Sequence, residues 1–147
     1  MLVSRVGTFE GLAVADLFAG SGALGLEALS RGAAHCLFVD SDADAVKAIR
    51  RNCDALGAAE RAEVRHQSVE YALPPPQRCD VIFLDPPYRS GLAETALAHI
   101  ANESWFAPGA LISLETAGGA LVLPASLAVE AERHFGKAHL LLLRAAA

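Results

Sequence analysis

Leu12-Ala13-Val14-Ala15-Asp16-Leu17-Phe18-Ala19-Gly20-Ser21-Gly22-Ala23-Leu24-Gly25 decides the fold. Its first half is an apolar run of strand length, broken only by Asp16. Its second half is glycine-rich, and Leu24, Leu26, Ala28 and Leu29 then continue at helical spacing until Gly32 supplies a stop. The order is strand, glycine turn, helix. A turn of this kind lets backbone pass close to a ligand and aims helix N–H groups at it.

The same alternation continues outward. His35-Cys36-Leu37-Phe38-Val39-Asp40 reads as a second strand ending in a carboxylate. Ser41-Asp42-Ala43-Asp44 follows the capping-box pattern with Asp in the fourth position, placing Ser41 as the cap. Val46, Ile49, Cys53 and Leu56 then mark an inward helical face, with Lys47, Arg50 and Arg51 outward and Gly57 as the stop. Ala62 to His66 is a weaker third strand. Ser68 to Leu73 is a short helical turn closed by Pro74-Pro75-Pro76. Cys79 to Leu84 is the fourth strand, Leu92 to Ile100 a helix, and Ala110 to Glu115 the fifth strand. Val129 to His134 and His139 to Arg144 flank Phe135-Gly136-Lys137-Ala138, a hairpin signal. Residues 1–11 read as the end of a helix, with Gly7 as its stop, and a linker. The expectation is one α/β domain over residues 1–147, Rossmann-like, with a mostly parallel seven-stranded sheet and a C-terminal antiparallel hairpin.

Composition narrows the class. A chain of 147 residues with 53% hydrophobic and 20% charged residues is globular. No apolar run approaches bilayer-spanning length, and Met1 to Arg5 carries no signal-peptide core. Cys36, Cys53 and Cys79 lack CxxC spacing and sit in apolar patterns, so they read as reduced core residues of a cytoplasmic protein. The five histidines show no ligand spacing, so no metal is expected. The net charge of −5 argues against a wholly basic nucleic-acid binder and leaves a local patch or a partner element for any such contact.

Two motifs carry chemistry. Gly20-x-Gly22-x-x-Gly25 matches the dinucleotide fingerprint, with Asp40 where a ribose-binding acid belongs. Asp16 in front of the glycines would repel a pyrophosphate and favour a cation, which counts against a nicotinamide enzyme. Asp85-Pro86-Pro87-Tyr88 follows the fourth strand. Pro87 lacks an N–H and holds Pro86 extended, so the loop is stiff and sits at the strand end where α/β sheets bind ligands. A carboxylate, a free carbonyl and an aromatic face suit a planar, amine-bearing base. The plainer alternatives are a tight turn at Asp85 and simple helix capping at Asp40 and Ser41.

The run from Asp16 to Gly32, together with Asp85-Pro86-Pro87-Tyr88, resembles the bacterial 16S ribosomal RNA guanine-N2 methyltransferases of the RsmD type. The likeness covers nearly the whole chain in order. It implies the class I methyltransferase fold and S-adenosyl-L-methionine as cofactor, held along Asp16, Phe18, Ala19, Gly20 and Gly22. Asp40 and Ser41 would meet the ribose, Ser68 and Val69 would edge the adenine, and Asp85 would adjoin the methyl donor. It implies Asp85, Pro86, Pro87 and Tyr88 as the residues acting on a guanine of 16S rRNA in the small ribosomal subunit. Arg89 is a candidate phosphate contact. Asp85 and Pro86 would accept the two amine N–H bonds while Tyr88 stacks on an extruded base. Members of that family carry a further N-terminal basic hairpin and helix, of which residues 1–11 read as a remnant. A monomer without membrane or metal partners is expected. The competing readings are a DNA adenine-N6 or cytosine-N4 methyltransferase and a non-catalytic nucleotide-binding module.

Overall fold

The computed structural model describes residues 6–88, 91–119 and 121–147. Seven strands form one sheet: β1 (Ala13–Leu17), β2 (His35–Asp40), β3 (Ala62–His66), β4 (Cys79–Leu84), β5 (Phe106–Thr116), β6 (Leu127–Phe135) and β7 (Ala138–Ala145). Their spatial order is β3-β2-β1-β4-β5-β7-β6. The first five pair in parallel, and β7 pairs antiparallel with both β5 and β6. The expected mostly parallel sheet with a C-terminal hairpin is therefore present.

Side-chain alternation splits the core between the two faces of the sheet. Ala15, Leu17, Leu37, Ile82 and Leu84 point to one face, where they meet Leu97 and Ile100 of helix α3 (Leu92–Asn102) and the fully buried Trp105. Val14, Cys36, Phe38, Val81 and Phe83 point to the other. There they meet α1 (Ala23–Ser30) and α2 (Ala43–Ala55) through Leu26, Leu29, Ile49 and Cys53. All three cysteines are free and buried, as their apolar surroundings implied. No helix among the described residues is long and apolar enough to cross a membrane.

The chain runs from β1 to β2 to β3 in one direction, then returns to lay β4 on the other flank of β1. This reversal opens a crevice beyond the carboxyl ends of β1 and β4, the position where such sheets bind ligands. Asp16, Asp40 and Asp85 all lie at that edge.

Several boundaries differ from the sequence reading. The cap of α2 is Asp42, whose side chain accepts the Ala45 N–H at 3.2 Å; Ser41 stands outside the helix. Leu56 ends that helix and is exposed instead of inward. Strand β5 starts at Phe106, earlier than expected, because Pro108-Gly109 does not end it. The Gly109 N–H donates to the Ala146 carbonyl, and Arg144 Nη1 donates to the Gly109 carbonyl, so the strand passes through a dipeptide that reads as a turn. The helical turn expected over Ser68 to Leu73 is a single 3-10 turn at Val69–Tyr71. Val6 is helical and Gly7 left-handed, in keeping with the expected stop; Met1 to Arg5 lie outside the described residues. Hairpin pairing sets His134 against His139, with ring centroids 4.1 Å apart, and Glu132 Oε2 lies 2.9 Å from His139 Nε2. Linear spacing gave no sign of this group. One ligand atom from each of Glu132, His134 and His139 lies within 4.8 Å of the others, close enough to converge on one ion.

One packing feature governs where α1 can sit. A Cβ on Gly25 would lie 2.4 Å from Phe38 Cε1 and 2.8 Å from Cys36 Sγ. Alanine would gain about 1 kcal/mol of helix propensity over glycine, but overpacking a close-packed core costs about 1–3 kcal/mol and more where backbone must move. Gly25→Ala is therefore expected to lower stability by about 1–2 kcal/mol. Urea unfolding of the variant beside the parent protein checks this, and an unchanged or higher midpoint would mean that α1 is not held this tightly.

Candidate active site

The turn after β1 is built from unusual backbone. Phe18 holds φ at 58°, an uncommon conformation for a residue with a side chain. Gly20 and Gly22 follow at φ 60° and 81°, and Gly22 caps α1. The Ala19 N–H donates to the Val39 carbonyl at 3.1 Å, and the Gly22 N–H to the Ala19 carbonyl at 2.8 Å. Asn52 of α2 donates to the Ser21 carbonyl at 3.2 Å. Strained backbone held by several independent bonds is characteristic of ligand-binding turns.

Asp16 lies beneath this turn. It points to the α1 face of the sheet, is almost wholly buried, and its Oδ2 accepts the Gly25 N–H at 2.9 Å. Burial is the main cause that pushes its pKa from 3.8 up to about 7; the Gly25 N–H opposes the rise, and Asp85 and Asp40 add to it. Asp16 is thus an anchor for the first turn of α1 as well as a buried acid suited to a cation.

Asp40 bridges two elements. Its Oδ2 accepts the Gly20 N–H at 2.8 Å, and its Oδ1 accepts the Asp42 N–H at 2.9 Å. Each oxygen keeps a second lone pair, so the carboxylate can brace the turn and accept from a ligand at once. The cap interpretation therefore holds in modified form, since Asp40 steadies the entry to α2 while Asp42 performs the capping.

Across the crevice stands the stretch after β4. The Asp85 N–H reaches the Leu17 carbonyl at 3.5 Å, which links the two strand ends. Phe18, Asp40 and Ser41 on one side and Asp85, Pro86, Pro87 and Tyr88 on the other line an open cleft of about 420 Å³. The cis form occurs at neither proline. The Pro86 carbonyl accepts no hydrogen bond among the described residues, leaving it free for a ligand. Tyr88 is 56% exposed, so its ring offers an open face.

Two groups of expected positions, Ala19, Gly20 and Gly22 and then Ser68 and Val69, differ in their surroundings. Ala19, Gly20 and Gly22 form the turn and are not part of the cleft wall, which Gly20 meets only through its bond to Asp40. Ser68 and Val69 are also outside that wall. The Gln67 N–H donates to the Asp40 carbonyl, which ties their segment to it, but the Val69 side chain is buried in the core and only backbone there can face a ligand. Arg89 lies outside the described residues.

Sequence reasoning did not single out Glu115. It is the penultimate residue of β5 and lines the same cleft. Tyr88 Oη lies 3.5 Å from its Oε2. Burial raises the Asp85 pKa, and the neighbouring Glu115 raises it further. A signal was present: Glu115 is an acid closing an apolar strand, as Asp40 is.

A family model described as "Conserved hypothetical protein 95" matches residues 3–144. The chain belongs to that family. It is 43% identical over 105 residues to the ribosomal RNA small subunit methyltransferase D of Haemophilus influenzae, covering 69% of this chain and 54% of that protein. To the protein of the same name from Escherichia coli K12 it is 33% identical over 124 residues, covering 83% and 63%. The chain thus spans somewhat over half the length of these family relatives. Among solved structures, Escherichia coli yhhF superposes with a TM-score of 0.90 at 30% identity, covering 99% of this chain and 84% of that one. A Salinibacter ruber RNA methyltransferase, solved in complex with S-adenosyl-L-homocysteine, superposes at 0.77 with 16% identity, covering 99% and 88%, a likeness of fold. The fold is the Rossmann-like class I S-adenosylmethionine-dependent methyltransferase arrangement.

The state of Asp16 has a measurable consequence. Its folded pKa of about 7 lies above the unfolded value of 3.8, so the folded chain holds a proton that the unfolded chain has released. That contribution is full below about pH 4, falls as pH rises, and is gone above about pH 7. Between pH 5 and pH 8 the loss is on the order of 2–3 kcal/mol. Asp16→Asn, which keeps an acceptor for the Gly25 N–H, is expected to flatten this part of the stability profile. Urea unfolding at both pH values tests it; an identical pH dependence in the variant would show that Asp16 is ionised throughout.

Proposed function

We propose that this chain is an S-adenosyl-L-methionine-dependent methyltransferase acting on the exocyclic N2 amine of a guanine in 16S rRNA of the small ribosomal subunit, as a monomer and without a metal. The observation that carries the reading is one cleft shared by the Asp40 carboxylate, braced to the glycine turn of β1, and the Asp85-Pro86-Pro87-Tyr88 stretch of β4. Family membership and the names of the curated relatives support the RNA substrate.

The residues present fit the cofactor. Asp16 is a buried acid whose ionised form lacks a cationic partner among the described residues, and an ammonium group near it would supply one. Asp40 has spare acceptor capacity for two hydroxyls, and its two backbone bonds hold it in place for them. A Cβ on Gly20 would face open space, so backbone there is accessible to close approach, whereas one on Gly22 would meet Ile49 and Phe38 in the core. When bound, the cofactor supplies an electrophilic methyl group.

The chain's own residues do the rest by positioning and electrostatics. The amine lone pair of a guanine is delocalised into its ring and is a poor nucleophile. Asp85 and the Pro86 carbonyl accept its two N–H bonds, which draws electron density back to nitrogen and stabilises the positive charge that develops there. Asp85 then holds the departing proton on its carboxylate, a task eased by the raised pKa that burial and Glu115 give it. Tyr88 offers its exposed ring for stacking, and the two prolines keep Asp85 and Tyr88 in fixed relation.

Isothermal calorimetry with S-adenosyl-L-homocysteine is expected to show binding in the micromolar range, and no heat at high micromolar ligand would sink the proposal. Asp85→Ala is expected to keep that affinity within about twofold while methyl transfer to RNA falls by roughly 100-fold or more. Transfer near the parental rate would show that Asp85 neither holds the amine nor takes its proton.

A further inference from the structure

The stretch after β4 fits any exocyclic amine, so it does not by itself choose among guanine, adenine and cytosine. We propose that Glu115 makes that choice, its carboxylate accepting the N1–H of a guanine whose N2 amine is held by Asp85 and Pro86. The inference rests on the methyltransferase reading above and adds the group that selects the base.

The geometry follows from strand register. Leu84 of β4 pairs with Leu114 of β5 in parallel, so the next residues, Asp85 and Glu115, leave neighbouring strand ends side by side. Both line the cleft with Pro86 and Tyr88. Tyr88 Oη lies 3.5 Å from Glu115 Oε2, which keeps the glutamate beside the ring that would stack on a base. No Lys or Arg among the described residues pairs with Glu115. Two adjacent carboxylates repel each other when both are ionised, and a proton shared between them in a hydrogen bond is the simplest relief. The consequence is visible in Asp85, whose proton affinity is raised first by burial, then by the Glu115 charge and by a side-chain hydrogen bond with Glu115. A ligand that brings hydrogen-bond donors to both acids would relieve the repulsion.

Base chemistry then discriminates. Guanine presents adjacent donors, N1–H and the N2 amine. Adenine presents its N6 amine beside N1, a ring acceptor, and cytosine presents its N4 amine beside N3, also an acceptor. A second carboxylate next to the amine clamp attracts the guanine edge and meets a lone pair on each of the others. Attraction for one partner and repulsion of its competitors is how specificity is usually built. If Glu115 were only a solvated strand-end charge, neutralising it would leave base preference untouched.

The test uses 2-aminopurine riboside, a fluorescent analogue that keeps the 2-amine but presents N1 as an acceptor. It is titrated into protein saturated with S-adenosyl-L-homocysteine, and guanosine is measured by competition. The parent protein is expected to prefer guanosine by about tenfold or more. In Glu115→Gln, whose amide N–H can donate to a ring acceptor, the guanosine to 2-aminopurine ratio is expected to fall about tenfold or more. Glu115→Asp, which keeps the carboxylate, should still favour guanosine. An unchanged ratio in Glu115→Gln, or a parent protein that binds both or neither nucleoside alike, overturns the role of Glu115. Loss of S-adenosyl-L-homocysteine binding by the parent protein would instead strike the methyltransferase reading, so the two failures are told apart.

Discussion

The hydrogen bond from the Gly25 N–H to the buried Asp16 carboxylate is the joint on which the site depends. It pins the first turn of α1 to the end of β1. Gly25 must lack a side chain for this to happen, because Phe38 and Cys36 of β2 occupy the space a Cβ would need. Once α1 is seated, its left-handed cap at Gly22 and the turn at Gly20 have little freedom, and Asp40 reaches the Gly20 N–H from β2. Two adjacent strands and one helix are thereby fixed against each other with hydrogen-bond accuracy. A cleft that must align a donor group with an acceptor atom needs this rigidity.

The same edge is strongly acidic. Asp16, Asp40, Asp85 and Glu115 all sit at or just past the carboxyl ends of β1, β2, β4 and β5. Asp16 feels the charges of Asp85 and Asp40 in addition to its own burial, and Asp85 feels Glu115. Such a grouping weakens the empty fold and is suited to a ligand bearing positive charge on one side and N–H donors on the other. The chain's net charge of −5 has part of its local meaning here.

Much of this was legible in the sequence. The alternation of apolar strands with glycine-stopped helices reveals the sheet because each period reflects which face is buried. Asp40 and Asp85 stood out because an acid ending a buried strand has no packing purpose. Other features depend on neighbours that are distant in sequence. Strand β5 continues through Pro108-Gly109 because Ala146 and Arg144 satisfy the Gly109 backbone. Asp42 displaces Ser41 as the cap because the Asp42 N–H is already drawn to Asp40. Val69 looks available in the sequence but faces the core. Glu115 gains its meaning only from the β4–β5 register, which no local pattern encodes.

In the proposed mechanism this cleft presents a guanine N2 amine of small-subunit RNA to a methyl donor. Mass mapping reads that step at the level of the modified atom. RNA is taken from small ribosomal subunits that lack the modification, after incubation with the protein and isotopically labelled S-adenosyl-L-methionine. One labelled methyl on the N2 of a single guanine in 16S rRNA is the expected product. Label on an adenine or cytosine amine, or RNA left unlabelled while duplex DNA is methylated under the same conditions, would contradict the mechanism.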